Sequence, residues 1–258
     1  METVFKTDLS DPALAPYSRL TCAELRQSEG GLFIAESLNV ISAALSAGYE
    51  IRSVLTEERH IPAVREGLGD TPVTVYTAPD TEIERLTGFR LHRGILAAFA
   101  RKPLPDASEI LFRSRRIAVL EGVTDPTNVG AIIRSAAALG MDAVLLASSC
   151  DPLHRRAARV STGAVFRIPW TFFSGDAALL KSHGFTVCAL ALSDNSIPIT
   201  SERLRNADKL ALLLGSEGDG LSAEAVASAD ITVKIPMKNG VDSLNVAAAA
   251  AVAFWSLV

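Results

Sequence analysis

Apolar positions follow two different arrangements along this chain, and the change between them falls near residue 105. In the first part, Leu38, Ile41, Ala44 and Leu45 recur at helical spacing after Glu36-Ser37, and Gly48 ends the run, which predicts a helix. IRSVL (51–55), VTVY (73–76) and GILAAFA (94–100) predict strands. Between the last two, Asp80 to Leu86 predicts a short helix with acids in its first turn, favourable to the helix dipole. RKPLPDAS (101–108) joins two prolines to polar residues and is the predicted linker.

Beyond it the apolar runs become nearly continuous: IAVLEG (117–122), AVLLA (143–147), FTVCALAL (185–192), LALLLG (210–215) and ITVKIP (231–236). Helical stretches separate them, among them AIIRSAAALG (131–140) and a closing helix from Leu244. Strands of that kind are buried on both faces, so the pattern predicts an α/β fold with a parallel sheet covered by helices. The expected division is a small α/β domain over residues 1–105 and the parallel-sheet domain over 106–258. There is no internal repeat and no low-complexity tract.

Composition narrows the function classes. The chain has 258 residues, 48% hydrophobic and 21% charged, which is globular rather than disordered. No apolar run approaches the roughly 20 residues that span a bilayer, and the opening METVFKTDLSDP has neither a basic n-region nor an apolar h-region. Three widely spaced cysteines, Cys22, Cys150 and Cys188, form no C-x-x-C pair. No disulfide framework, zinc site or other metal is therefore expected, and a reducing cytoplasm fits best. A net charge of −4 argues against indiscriminate coating of nucleic acid. Two local basic clusters, Arg113, Arg115 and Arg116, and Arg155, Arg156, Arg159 and Arg167, are candidates for phosphate contact or plain solvated faces.

Three loops follow strand ends in the second half, where open α/β sheets place ligands. In EGVTDPTNVGAIIRSA, Asp125-Pro126 reads as a turn, Asn128 precedes Gly130, and Arg134 lies in the following helix. A capped helix with Arg134 on an exposed face is the plain alternative. LLLGSEGDGLS holds Glu217 among three glycines, which signals close backbone approach or left-handed torsions. Its spacing matches neither the dinucleotide fingerprint nor the P-loop. The chain also lacks the acidic strand end with glycine turn expected of a Rossmann-type methyltransferase. In IPMKNGVDSLNVAAAAAVAFW, Pro236 closes a strand without a backbone donor, and Ser243 and Asn245 flank Leu244 at the mouth of the last helix, where Ser243 also reads as an N-cap.

Taken in order, N-x-G-x-x-x-R, L-G-x-E-x-x-G-L and I-P-M…S-L-N-V-A resemble the motifs of the SpoU (TrmH-type) branch of the SPOUT RNA methyltransferases, over roughly residues 115–258. GGLFIAESLNVISAALSAG and LHRGILAAFARKPLP resemble the family's ribosomal-protein-like N-terminal module, which binds the RNA substrate. The resemblance implies a C-terminal domain with a deep trefoil knot, homodimerisation through it, and S-adenosyl-L-methionine as cofactor. It implies methyl transfer to a ribose 2'-hydroxyl of structured RNA, with ribosomal RNA ranked ahead of transfer RNA as the partner. It places the cofactor near Leu214, Gly215, Ile235, Pro236, Met237 and Leu244. It assigns catalysis to Arg134, with Asn128 and Glu217 orienting, Glu217 holding Asn128 or Arg134, and Ser243 and Asn245 binding the ribose or its phosphate.

Arg26, Arg90, His92, Arg93, Arg101 and Lys102 are the candidate phosphate contacts of the first half, and His92 reads equally as a plain surface side chain. Two rivals stand beside this reading. A catalytically silent RNA-binding protein would have lost a motif residue, and none is lost. A small-molecule α/β enzyme would need a catalytic group of its own, yet His60, His92, His154 and His183 all fall outside the three loops. The segment around Cys150-Asp151-Pro152 and Arg155-Arg156 departs slightly from the family's look.

Overall fold

The computed structural model describes residues 1–6, 8–18, 21–28, 30–91, 94–193 and 195–257. It falls into two compact units, Met1–Pro103 with Leu153–Phe166, and Leu104–Pro152 with Arg167–Val258. The first begins with β1 (Glu2–Phe5), α1 (Cys22–Gln27), β2 (Leu32–Glu36), α2 (Leu38–Ser46), β3 (Ile51–Thr56) and α3 (Ile61–Leu68). It continues with β4 (Thr74–Thr77), α4 (Asp80–Thr87) and β5 (Ile95–Ala100). The strands form one sheet in the order β1-β4-β3-β5-β2. β1 and β3 run parallel to β4, and β5 runs antiparallel to β3 and β2.

Local sequence signals account for the helix ends. Thr21 and Glu24 cap α1 reciprocally, each side chain bonding the other's backbone N–H. Gly88, at φ +81°, ends α4 in the left-handed conformation that glycine adopts without steric cost. The predicted helix after Glu36-Ser37 and the three predicted strands are present, and Leu14, Tyr17, Leu55, Ile83 and Leu96 are buried together in the core. β1 and α1 carry no pattern of their own. One is a four-residue edge strand with no fully buried residue, the other a helix of six residues.

In the second half the order is α5 (Ala107–Arg113), β6 (Arg116–Glu121), α6 (Pro126–Ala138), β7 (Ala143–Ala147) and α7 (Arg155–Val160), the last belonging to the first unit. β8 (Trp170–Phe172), α8 (Ala177–Ser182), β9 (Thr186–Leu190), β10 (Ile197–Pro198) and α9 (Glu202–Arg205) follow, then β11 (Leu210–Leu214), α10 (Ala223–Ser228), β12 (Ile231–Lys234) and α11 (Val246–Leu257). The seven strands are all parallel, in the order β10-β12-β9-β11-β6-β7-β8. β7 and β11 are buried along their whole length, as their continuous apolar runs require. Ile110 and Leu111 of α5 and Leu180 of α8 pack on one side with Ile117, Val119, Leu145 and Leu213. α11 packs against α6, where its alanines permit close approach.

The single boundary expected at 105/106 leaves out a return of the chain. Residues 153–166 pack within the first unit. Glu36, only 1% exposed at the end of β2, receives the guanidinium of Arg155 and Nη1 of Arg159, the latter at 2.8 Å. Phe166 lays its ring against Phe33 and Tyr49, and a Cβ at Gly163 would come within 2.6 Å of the Ala43 side chain. A six-residue helix held by two arginines and one glycine makes no break in composition, so periodicity could not reveal it.

Candidate active site

All strands of the second unit point the same way, so the loops after their C-terminal ends share one edge of the sheet. The chain leaves β6 toward β7 and leaves β11 toward β12, in opposite directions across the sheet. The crevice between β6 and β11 is therefore the topological switch point, where open α/β sheets bind ligands.

The loop after β6 is short because Asp125-Pro126, expected as a turn, already opens α6. The Asp125 carboxylate accepts from the Thr127 N–H at 2.8 Å and Pro126 takes the first helical position, where no N–H is needed. The helix thus begins well before residue 131. This places Asn128 in the first turn, buried at 6% exposure. Arg134, six residues on, is rotated about 120° away and is exposed. Ser149 holds the same loop by accepting from the Val123 N–H at 2.9 Å and donating to the Leu120 carbonyl at 2.8 Å.

The loop after β11 folds back on its own start. The Ser216 N–H donates to the Gly220 carbonyl at 3.1 Å, and a Cβ on Gly215 would lie 2.1–2.3 Å from backbone atoms of Gly220 and Leu221. Only glycine fits there. Ser222 caps α10 and donates both its N–H and its hydroxyl to the Glu121 carboxylate, at 2.9 and 2.8 Å. The loop carrying Glu217 is thereby tied to the end of β6. Contrary to the sequence reading, β6 does end in an acid followed by a left-handed glycine, Gly122 at φ +66°. That acid serves the loop.

The loop after β12 starts once the strand stops at Lys234, turns at Asn239 and Gly240, both at positive φ, and ends at α11. Asn245, not Ser243, is the cap of α11. Its Oδ1 accepts from the N–H groups of Ala247 and Ala248 at 3.0 and 3.3 Å. This orientation turns its Nδ2 outward, where it donates to Asn128 Oδ1 at 3.1 Å and to Glu217 Oε1. One amide thus joins all three loops. Glu217 holds Asn245 rather than Asn128 or Arg134, because Asn245 stands next to Asn128 and Arg134 lies on a different side of α6.

Among the remaining expected site residues, Leu214 is covered by protein, and Gly215, Ile235 and Met237 are partly exposed. Pro236, Ser243 and Leu244 are exposed. The sequence reading missed Glu121, Ser149 and Ser222, which set the loops. A carboxylate closing a buried strand was the available signal for the first, and nothing in composition marks the two serines.

Most of the basic candidates prove to be engaged. Arg116 donates to the carbonyls of Arg115, Arg205, Ala207, Asp208 and Leu257, closing the C-terminal ends of α9 and α11. Arg115 pairs with Asp208 and Arg113 with Glu109. Arg155 and Arg159 hold Glu36, while Arg156 and Arg167 are exposed. Arg90 lies 3.7 Å from Asp80, Arg101 donates to the Leu32 carbonyl at 3.0 Å, and Lys102 donates to the Ala47 carbonyl at 2.6 Å. His92 and Arg93 lie outside the described residues. Among the described residues no group of three His, Cys, Asp or Glu side chains could hold a metal, and no helix is long and apolar enough to cross a membrane.

An open parallel sheet whose switch-point loops meet in one polar cluster defines a class, the α/β proteins that seat a ligand at the carboxyl edge of the sheet. The model of the SpoU rRNA methylase family matches residues 115–255. An uncharacterized tRNA/rRNA methyltransferase of Mycobacterium tuberculosis is 36% identical over 256 residues, 96% of this chain and 89% of its own length. Among solved structures, an RNA 2'-O ribose methyltransferase shares 25% identity at a TM-score of 0.78, covering 99% of this chain and 97% of that one. An AdoMet-bound rRNA methyltransferase from Sinorhizobium meliloti has the same fold, with a TM-score of 0.80 at 23% identity and coverage of 99% and 97%. The chain belongs to the SpoU rRNA methylase family.

Proposed function

We propose that this protein transfers a methyl group from S-adenosylmethionine to a ribose 2'-hydroxyl in structured RNA, ribosomal rather than transfer RNA. The observation that carries the reading is the Asn245 bridge, which gathers the three motif loops at the switch point of the sheet. The relatives support it: one acts on tRNA or rRNA by its description, one similar structure holds AdoMet, and another is a ribose 2'-O methyltransferase.

The residues present suit such a cofactor. S-adenosylmethionine, when bound, supplies a methyl group on a sulfonium that is already a good leaving group. Gly215 and Ile235 offer backbone polar groups at strand ends, and Met237 and Leu244 offer apolar surface for an adenosine. What the protein must add is in-line positioning and activation of a weakly acidic hydroxyl. Asn128, Glu217 and Asn245 fix the loops. Ser243, exposed beside Asn245, binds the ribose or its phosphate, because the Asn245 amide spends its two donors and two acceptor sites on the bridge and the cap. Arg134 polarises the 2'-hydroxyl and stabilises the developing alkoxide. A guanidinium keeps its proton throughout the physiological range and is a poor base, so we assign it charge stabilisation.

Arg134→Ala is expected to lower methyl transfer at least about 100-fold while cofactor affinity stays within a few-fold. Tritiated methyl incorporation into RNA, paired with calorimetry of cofactor binding, checks both. Near-normal turnover at saturating RNA rejects the assignment.

The same reading includes a trefoil knot in the second unit, substrate binding by residues 1–105 and a cytoplasmic homodimer. Support for the dimer comes from α11, where Ala248, Val252 and Trp255 form a charge-free stripe at i, i+4 and i+7. Trp255 is 75% exposed and Val252 41%. Trp255→Glu is expected to convert a dimer to monomer at micromolar concentration in sedimentation velocity, and an unchanged sedimentation coefficient rejects this face.

A further inference from the structure

A cavity of about 270 Å³ opens in the first unit, and every described residue lining it belongs to that unit. Its wall is apolar, with Leu25, Phe33 and Leu96, while Thr87 and His154 bring polar edges to it. The guanidinium of Arg155 lies 3.5 Å from the centre of the Phe89 ring, and both groups line the space. Glu36 holds that guanidinium from the buried side. The guanidinium is therefore fixed over the ring before any ligand arrives.

We propose that this cavity receives one unpaired nucleobase of the RNA, stacked on the Arg155–Phe89 platform. The identity of the polymer rests on the methyltransferase reading, whereas the chemistry of the pocket rests on its own lining. RNA is recognised in sequence mostly through unstacked bases laid on aromatic rings or arginine planes, and this pocket supplies both surfaces. Its volume is below the roughly 300–1,000 Å³ of sites for drug-sized ligands, which suits a single ring system better than a whole nucleotide cofactor. Phosphate is disfavoured, because the Arg155 guanidinium is already bonded to the Glu36 carboxylate and the lining around it is mainly apolar. A neutral planar ring with polar edges is the ligand that the lining matches.

Cys22 also lines the cavity, and it gives a readout that needs no enzymatic activity. Burial pushes the thiols of Cys150 and Cys188 up to about 11 and about 12, which slows their alkylation, and peptide mapping reads Cys22 apart from both. Alkylation of Cys22 in the full chain is to be followed by peptide mass spectrometry in the presence of adenosine, guanosine, cytidine or uridine. At least one nucleoside is expected to slow labelling at least threefold, with half-protection at about 1 mM or above, as one stacked ring would give. Phe89→Ala should abolish the protection, and Phe89→Tyr should keep it.

No protection by any of the four nucleosides up to about 20 mM would overturn the proposal. So would protection by inorganic phosphate alone, or protection that survives in Phe89→Ala. Because the probe is a free nucleoside, loss of protection is distinguishable from absence of methyl transfer, which is measured separately on RNA.

Discussion

Replacing Asn245 with alanine is expected to lower methyl transfer at least about 100-fold and to destabilise the protein by about 2–4 kcal/mol. Two losses add. The cap of α11 disappears, since Ala247 and Ala248 lose the oxygen that accepts their N–H groups, at a cost of about 1 kcal/mol. Asn128, buried at 6% exposure, loses the donor to its Oδ1, and an orphaned buried acceptor costs about 1–3 kcal/mol. Aspartate at this position separates the two roles. It caps a helix as well as asparagine does and suits the dipole. It cannot donate to Asn128 or Glu217, and it sets a second carboxylate beside the first. Asn245→Asp therefore restores the cap alone, and is expected to regain about 1 kcal/mol of the alanine variant's loss at most while remaining defective in transfer. Thermal unfolding and methyl incorporation, measured side by side, decide the matter. A fully active aspartate variant would remove the bridge from the mechanism.

The same residue shows how far the sequence carried. Asn245, Asn128 and Glu217 could be selected as site residues because their motifs are local and ordered. Their mutual bonding could not be read, since it depends on a sheet order that puts β6 beside β11 though about 90 residues separate them. The core strands β7 and β11 were legible because a doubly covered strand must be apolar throughout. The start of α6 was misplaced because Asp-Pro serves a turn and a helix entrance equally well, and only the backbone geometry decides. The arginines illustrate the opposite limit. Arg115 and Arg116, a basic cluster by composition, spend their donors on Asp208 and on carbonyls at helix ends. Charge in a sequence records how many donors there are and is silent about where the acceptors lie.

Glu36→Ala is expected to cost the first unit about 3–5 kcal/mol, the usual result of stripping one partner from a buried ion pair. The Glu36 carboxylate is 1% exposed, and the guanidinium groups of Arg155 and Arg159 that it serves are about a quarter to a third exposed. Without it two positive charges stay half-buried beside each other, and the segment 153–166 loses its polar anchor. Phe166 on Phe33 and Tyr49, and the Arg155 guanidinium over Phe89, continue to hold it. Hydrogen exchange should then rise first in Arg155–Val160, before the five-stranded sheet opens, and urea unfolding should shift to lower midpoint. Replacing all three charges together, Glu36→Leu with Arg155→Met and Arg159→Met, should recover most of the lost stability, because desolvation of the charges offsets much of their attraction. Raising salt should change little, in contrast to the exposed Arg85–Glu82 pair, whose attraction is screened within about 10 Å at 0.1 M. If Glu36→Ala unfolded at the wild-type midpoint, with the exchange of Arg155–Val160 unchanged, the carboxylate would not be what fastens this return of the chain to the first unit.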